Sequence, residues 1–121
     1  MSIDTILSRE ELLDRVGNDI DFLHELADLF AEGYPELLQK IEQAIQQKNR
    51  ELLENTAHEL KGVVGNFCAP RAMLAAQKMQ VNGKNADFIV AETDLNSLTK
   101  TIKSVELALK KLIEEYTSQN N

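Results

Sequence analysis

Apolar residues recur at alternating steps of three and four along much of the chain, which is the spacing of a buried stripe on an α-helix. One long segment of this kind covers residues 19–48 and begins at Asp19, a residue suited to capping a helix. Pro35 removes one backbone hydrogen bond from this segment, so we expect a kink or a break there. The apolar register continues in phase beyond the proline, which favours one long, bent helix. Its stripe consists of Ile20, Leu23, Ala27, Phe30, Tyr34, Leu37, Ile41 and Ala44.

Three more helices are predicted after the long one, and a short one before it. A short helix over residues 8–16 begins at Ser8, where Glu11 has capping-box spacing. A helix over 70–82 begins with Pro70, a residue favoured at the first helical position, and residues 82–85 are expected to form a loop. The helix over 50–67 has a stripe of Leu53, Ala57, Leu60, Val64 and Phe67. The helix over 87–116 has the longest stripe, formed by Phe88, Ala91, Leu95, Leu98, Ile102, Val105, Leu109, Leu112 and Tyr116.

Four long helices with short connections predict an all-α fold, an antiparallel up-down four-helix bundle with a short extra N-terminal helix. The chain has 121 residues, no shift of composition and no internal repeat. We therefore expect a single domain over residues 1–121.

Charge and composition exclude several classes of function. The formal net charge is −7, which disfavours binding to nucleic acid or to an anionic membrane surface. No apolar run is long enough to span a bilayer, and the N-terminus lacks the pattern of a secretory signal. The single Cys68 suits a reducing compartment. The two His lack the Glu-x-x-His spacing of a di-metal bundle. We expect a monomeric cytoplasmic protein without a metal or cofactor of its own.

His58, in the helix over 50–67, is a candidate for a residue that reacts with a substrate or partner. At about 100° per residue, His58 lies about 160° from the centre of the apolar stripe, on the solvent face. Gly62 and Gly65 lie within about 40° of it, although each glycine inside a helix costs about 1 kcal/mol relative to alanine. Their missing side chains would leave room for another molecule to approach the imidazole. Lys61 lies at the edge of the same helix face, where its positive charge could stabilise a phosphoryl group during its transfer.

Plainer interpretations of these residues fit their positions less well. His58 could be an ordinary surface residue, but the two glycines and the lysine on its face argue against that. Glycines that serve close helix packing should lie on the apolar face, and these do not. His24, between Leu23 and Glu25 on the long helix, is interpreted as a surface residue.

The segment from Ala57 to Asn66, AHELKGVVGN, resembles the signature of histidine-containing phosphotransfer (HPt) domains, the carriers of multistep phosphorelays. The resemblance extends over nearly the whole chain in the order of its helices. It implies that His58 is phosphorylated by the aspartyl phosphate of a receiver domain, usually on Nε2. It also implies that Lys61 is the neighbouring cation and that Gly62 provides clearance.

Two further positions follow from the resemblance. In some members a glutamine twenty-two positions after the histidine orients the ring, and here that residue is Gln80. It would accept the Nδ1 proton and leave Nε2 as the nucleophile. Many members have a glycine near the end of the motif helix, where this chain has Cys68, a departure that bears on the local turn.

The expected function is that of a phosphoryl carrier that accepts the group from a receiver-domain aspartate on His58 and passes it to another receiver. The expected partners are response-regulator receiver domains and a hybrid sensor histidine kinase. The sequence has no nucleotide-binding motif, so a donor protein is implied and Mg²⁺ is expected in the partner receiver. Two alternatives remain: the HPt segment of a hybrid histidine kinase, or a helical docking adaptor that is not phosphorylated. Met1 and the lack of a preceding linker favour a free-standing protein, although a segment cut from a longer chain could have the same ends.

Overall fold

The computed structural model describes residues 2–119 and folds them into six α-helices, with no β-strand in that range. In chain order these are α1 (Ile3–Ile6), α2 (Arg9–Arg15), α3 (Ile20–Gln46), α4 (Arg50–Gly65), α5 (Pro70–Lys84) and α6 (Phe88–Gln119). Helix α3 packs against α4 and α6, and α5 packs against the same two helices, so the four long helices close into a bundle. The all-α, antiparallel four-helix bundle predicted from the sequence is confirmed.

The helix starts follow local side-chain chemistry. The carboxylate of Asp19 accepts a hydrogen bond from the Phe22 N–H at 3.0 Å, and the side chain of Asn49 accepts one from the Leu52 N–H at 3.1 Å. Each satisfies one of the unpaired N–H groups in the first turn of its helix. Ser8 precedes α2 but makes no such bond. The capping box expected there is therefore not formed.

The apolar stripes predicted for α3 and α4 form the core between the helices. In α4, Leu53, Ala57, Leu60 and Val64 are completely buried. Helix α3 continues without a break past Pro35, which lies inside it. The phenol of Tyr34 donates a hydrogen bond to Glu106 of α6 at 2.9 Å. This bond ties the middle of α3 to its neighbour α6.

The structure differs from the sequence-based prediction at two places. The N-terminal segment forms two short helices, α1 and α2, instead of one. Residues 82–85 were expected to be a loop, but α5 continues to Lys84, and Asn82 and Gly83 are buried in it. The Asn82 amide donates to the Asp94 carboxylate of α6 at 3.0 Å. This polar segment is a contact between helices, and composition alone could not separate it from a turn.

Helices α2, α3 and α5 each have a residue in the left-handed backbone conformation two positions after their last residue. Gly17 follows α2 with φ 65°, Lys48 follows α3 with φ 52°, and Ala86 follows α5 with φ 54°. The N–H groups of Ala86 and of the next residue donate back to carbonyls of the last turn of α5, at 3.0 and 2.8 Å. Glycine is the preferred residue at such a position because it has no Cβ to clash with the backbone.

We predict that Ala86→Gly stabilises the protein by about 0.5–1 kcal/mol. The left-handed conformation costs a residue with a Cβ about 1–2 kcal/mol, and the greater freedom of glycine in the unfolded chain offsets part of the gain. The reciprocal change, Gly17→Ala, should cost about 1 kcal/mol, although an added Cβ meets no atom within 4 Å. Urea denaturation of the three proteins measures both changes. If both substitutions shifted the free energy of unfolding in the same direction, the explanation from the left-handed backbone conformation would be wrong.

Candidate functional site

His58 lies on the outer face of α4 and is exposed to solvent, as its position on the helical wheel predicts. The same helix buries Ala57 and Leu60, the residues on either side of the His58–Glu59 pair. Burial of the stripe against the bundle therefore fixes the rotation of α4 about its own axis. This rotation presents the imidazole at the surface of a rigid helix.

Gln80 of α5 is the polar partner of the His58 ring. Its Nε2 atom lies 3.3 Å from His58 Nδ1. Gln80 was expected to accept the Nδ1 proton, but in this arrangement the amide nitrogen donates and Nδ1 accepts. A rotation of the amide by 180° places Oε1 at the same point and reverses the polarity of the bond. The structure thus brings the two predicted residues together with the opposite donor and acceptor roles.

Lys61 follows His58 by three residues and is half-buried. Within residues 2–119, no carboxylate forms an ion pair with its ammonium group. Residues three apart on a helix are neighbours on its surface. A positive charge that is not neutralised by a partner in this range therefore lies beside the imidazole.

The two glycines next to His58 have different surroundings. Gly62 is exposed, and a Cβ added there would meet nothing within 4 Å. Gly65 is half-buried, and a Cβ added there would touch the side chain of Met73 at 3.6 Å, an ordinary contact. Open space beside the imidazole is therefore found at Gly62, whereas Gly65 lies against α5.

The end of α4 is held by the N-terminal segment. The guanidinium of Arg15 donates to the carbonyl of Gly65 at 2.8 Å, and the Ser8 N–H donates to the carbonyl of Cys68, also at 2.8 Å. Cys68 has φ 53°, so the turn adopts a left-handed conformation without a glycine. Burial is the main cause that raises the pKa of its thiol, which keeps the thiol protonated and disfavours its reaction as a thiolate.

A groove between α2, α3 and α4 lies beside the histidine, and sequence reasoning missed it. We call it the α3–α4 groove; it encloses about 510 Å³. The α4 side is lined by Glu59 and Val63, the residues that follow His58 and Gly62. The α3 side is lined mainly by apolar residues and a glycine, Phe22, Leu26, Leu29, Phe30 and Gly33. The sequence did contain a signal of this groove. Positions 22, 26 and 29 form a second apolar stripe on α3, separate from the stripe that was assigned to the core.

Other candidate chemistry is sparse in the part of the chain that the structure describes. His24 is exposed on α3, with its Nε2 3.8 Å from the carboxylate of Asp28. Within residues 2–119, no group of three His, Cys, Asp or Glu side chains is arranged to hold a metal ion. No helix in that range is both long and apolar enough to cross a membrane.

Comparison with known proteins identifies the class to which this fold and site belong. The family model of the Hpt domain matches residues 25–117, so the chain belongs to the HPt domain family. Its members are phosphotransfer carriers of phosphorelays that interact with receiver domains and histidine kinases, and this chain is a carrier of that kind.

Two solved structures have the same fold. Histidine-containing phosphotransfer protein B from Pseudomonas aeruginosa PAO1 has a TM-score of 0.77 at 19% sequence identity, over 88% of this chain and 93% of that one. The HPt domain of a sensor hybrid histidine kinase from Shewanella has a TM-score of 0.71 at 20% identity, over 94% of this chain and 97% of that one. No curated protein sequence matches the chain.

Proposed function

We propose that His58 is the residue that carries the phosphoryl group. One observation supports this assignment above all: the exposed imidazole has the Gln80 amide 3.3 Å from Nδ1, while Nε2 has no hydrogen-bond partner among residues 2–118. A ring held by one nitrogen presents the other as a nucleophile. His24, the other histidine, has only a neighbouring carboxylate, which would repel an incoming phosphoryl group.

The proposed step is a direct exchange between two proteins. The lone pair of Nε2 attacks the phosphorus of a receiver's aspartyl phosphate; the N–P bond forms, and the P–O bond to the aspartate breaks. The aspartate leaves as a carboxylate, and the proton stays on Nδ1. This step requires the amide orientation in which Oε1 of Gln80 accepts the Nδ1 proton, because the reverse orientation places the proton on Nε2. Transfer to a second receiver reverses the same bonds.

In this proposal the chain contributes the nucleophile and a cation, and the partner receiver contributes the aspartyl phosphate and the Mg²⁺. Lys61 would stabilise the negative charge on the phosphoryl oxygens during transfer. We propose that the chain has no ATP site, since no nucleotide motif is present, and that Mg²⁺ is bound by the receiver. We further propose a monomer that acts in the cytoplasm and does not bind nucleic acid, in line with the net charge of −7.

Lys61 and Gln80 should affect the rate of transfer more than the stability of the fold. We expect Lys61→Ala to slow transfer by about ten- to a thousandfold through lost charge stabilisation. Gln80→Ala should slow it less, because it acts only through ring orientation. Both variants should melt close to the wild type, since neither side chain is part of the core. Rapid-quench transfer kinetics and thermal melts measure these effects. Wild-type rates with a lowered melting temperature would assign both residues a structural role.

Gly62→Gln should fold but transfer poorly. Helix propensity improves, so the free energy of unfolding should stay constant or rise by up to about 1 kcal/mol. The new side chain occupies the open space beside His58 and should hinder a protein partner. Ser97→Gln, at an exposed site on α6, is the control and should transfer normally. Wild-type binding and transfer by Gly62→Gln would refute the clearance argument.

Incubation with a panel of phosphorylated receiver domains tests the proposed function. Radiolabel should move from at least one receiver to the wild-type protein and onward to a second receiver. A helical adaptor would bind receivers without taking up label, so this experiment separates the two functions. A free-standing carrier and an HPt segment of a hybrid kinase would behave alike in it.

A further inference from the structure

Helices α4 and α5 run antiparallel and face each other at three successive levels. Each level pairs one residue of α4 with one of α5, and the three pairs are Gly65 with Met73, His58 with Gln80, and Glu54 with Gly83. As the residue number falls along α4 it rises by nearly the same amount along α5, which is the register of antiparallel neighbours. The pair that contains the imidazole is therefore one helical turn from the pair that contains Gly83.

The backbones of α4 and α5 approach each other closely at Gly83, which is buried. A Cβ added to Gly83 would lie 2.6 Å from the backbone N of Glu54 and 3.2 Å from the carbonyl carbon of Leu53. Only a residue without a side chain permits this separation of the two helices. Gly83 therefore determines how near α5 lies to α4 at the turn that follows Gln80.

The contact between Gln80 and His58 tolerates little widening of this separation. The distance of 3.3 Å from Gln80 Nε2 to His58 Nδ1 is already long for a hydrogen bond. To bring a Cβ at position 83 from 2.6 Å to an accessible 3.0–3.4 Å, α5 would have to retreat by about 0.4–0.8 Å. The same retreat one turn away would stretch the contact beyond the range of a hydrogen bond. Gln80 is half-buried, so its side chain cannot follow freely.

The turn of α5 that contains Gly83 is also fixed from the other side of the helix. The amide of the buried Asn82 donates to the carboxylate of Asp94 on α6 at 3.0 Å. Gly83 thus lies against α4 while its neighbour is bonded to α6. Gln80 therefore projects from a part of α5 that is held between two helices.

We propose that Gly83 is a positioning residue for phosphoryl transfer. It lets α5 lie against the backbone of α4, and the resulting separation holds the Gln80 amide at Nδ1 of His58. Gly83 touches neither the imidazole nor a partner, so it acts through Gln80. A glycine that serves packing alone would affect stability and leave the ring unchanged. This inference rests on the proposed function and extends it from the reacting groups to the residue that places them.

Transfer kinetics of a double-mutant cycle test the proposal. Gly83→Ala should slow transfer about two- to tenfold, the value of one hydrogen bond, and Gln80→Ala should slow it equally. The double variant should be no slower than Gln80→Ala, because the two residues act through one contact. Val105→Ala is the control for destabilisation. Val105 is completely buried in α6 and lines a cavity with Arg71, at the other end of α5. It should transfer at the wild-type rate.

Nitrogen NMR of the unphosphorylated protein reports the state of the imidazole directly. In the neutral ring of the wild type, the bond to Gln80 should keep the proton on Nδ1. Gly83→Ala and Gln80→Ala should both shift the tautomers towards the mixture found in a short histidine peptide. Val105→Ala should keep the wild-type tautomer, since its melting temperature falls without any change beside the ring. All measurements are made below the melting temperature of every variant.

Phosphoramidate, a small donor that needs no docking surface, separates the possible outcomes. Gly83→Ala should take up its phosphoryl group slowly as well, because the ring itself has changed. Slow transfer from the receiver alone would assign the effect to docking and overturn the inference. A wild-type tautomer in Gly83→Ala, a further loss of rate in the double variant, or a Gly83→Ala chain that does not fold would overturn it too, while label on His58 keeps the proposed function. If neither phosphoramidate nor any receiver labels His58, the proposed function fails and this inference fails with it.

Discussion

Gly83→Ala is expected to destabilise the protein by about 1–3 kcal/mol, although alanine is the better helix former. A Cβ at this position would lie 2.6 Å from the backbone N of Glu54 and 3.0 Å from its Cα. Backbone atoms cannot rotate away as a flexible side chain can, so α5 would have to move off α4. For a chain of this size the melting temperature should fall by roughly 5–15 °C.

The matched control for this prediction is Gly33→Ala, which makes the same substitution in another helix. The added Cβ meets no atom within 4 Å there, so helix propensity alone acts and stability should rise by up to about 1 kcal/mol. Calorimetric melts of both variants decide the matter. A Gly83→Ala variant that melts like the wild type would show that α5 and α4 do not approach as closely as described.

His58→Gln is expected to abolish phosphorylation while leaving the fold unchanged. Glutamine has a similar polarity but no ring nitrogen that can take up a phosphoryl group. Because His58 is exposed and its neighbours Ala57 and Leu60 supply the core contacts, the melting temperature should shift by no more than a few degrees. His24→Gln is the control and should be labelled like the wild type. Label that remains in His58→Gln would place the phosphoryl group elsewhere.

The positions of the helices were predictable because burial imposes a periodic pattern on the sequence. The α4 stripe from Leu53 to Val64 is completely buried, and the outward position of His58 followed from the same wheel. Local chemistry also predicted the start of α3 at Asp19. These features depend on neighbours within a few residues, which a sequence displays directly.

The sequence-based prediction ended α5 too early, and Gly83 shows why. Asn82 and Gly83 are typical turn residues by composition, but here one bonds to Asp94 and the other lies against Glu54. Both contacts join segments far apart in the sequence. A glycine required for close packing and a glycine required for a turn cannot be distinguished until the neighbouring helix is placed.

The proximity of His58 and Gln80 was predicted, but not all of their surroundings. The contact between Gln80 and His58 joins two helices, and the spacing known from the HPt family indicated it, whereas its polarity depends on the orientation of one amide. The α3–α4 groove was missed because Phe22 and Leu29 lie outside the core stripe of α3. An apolar residue off the stripe is often a lone surface residue, and only the packed bundle shows that these line one surface.

The most direct test of the central claim is to locate the phosphoryl group after transfer from a receiver domain. The labelled protein is isolated, its stability in acid and in alkali is measured, and the modified residue is identified by mass spectrometry under neutral conditions. We expect a single phosphoramidate on His58 that is lost in acid, is retained in alkali and disappears when an unphosphorylated receiver is added. A phosphoryl group on a hydroxyl or carboxyl side chain, or on His24, would contradict it.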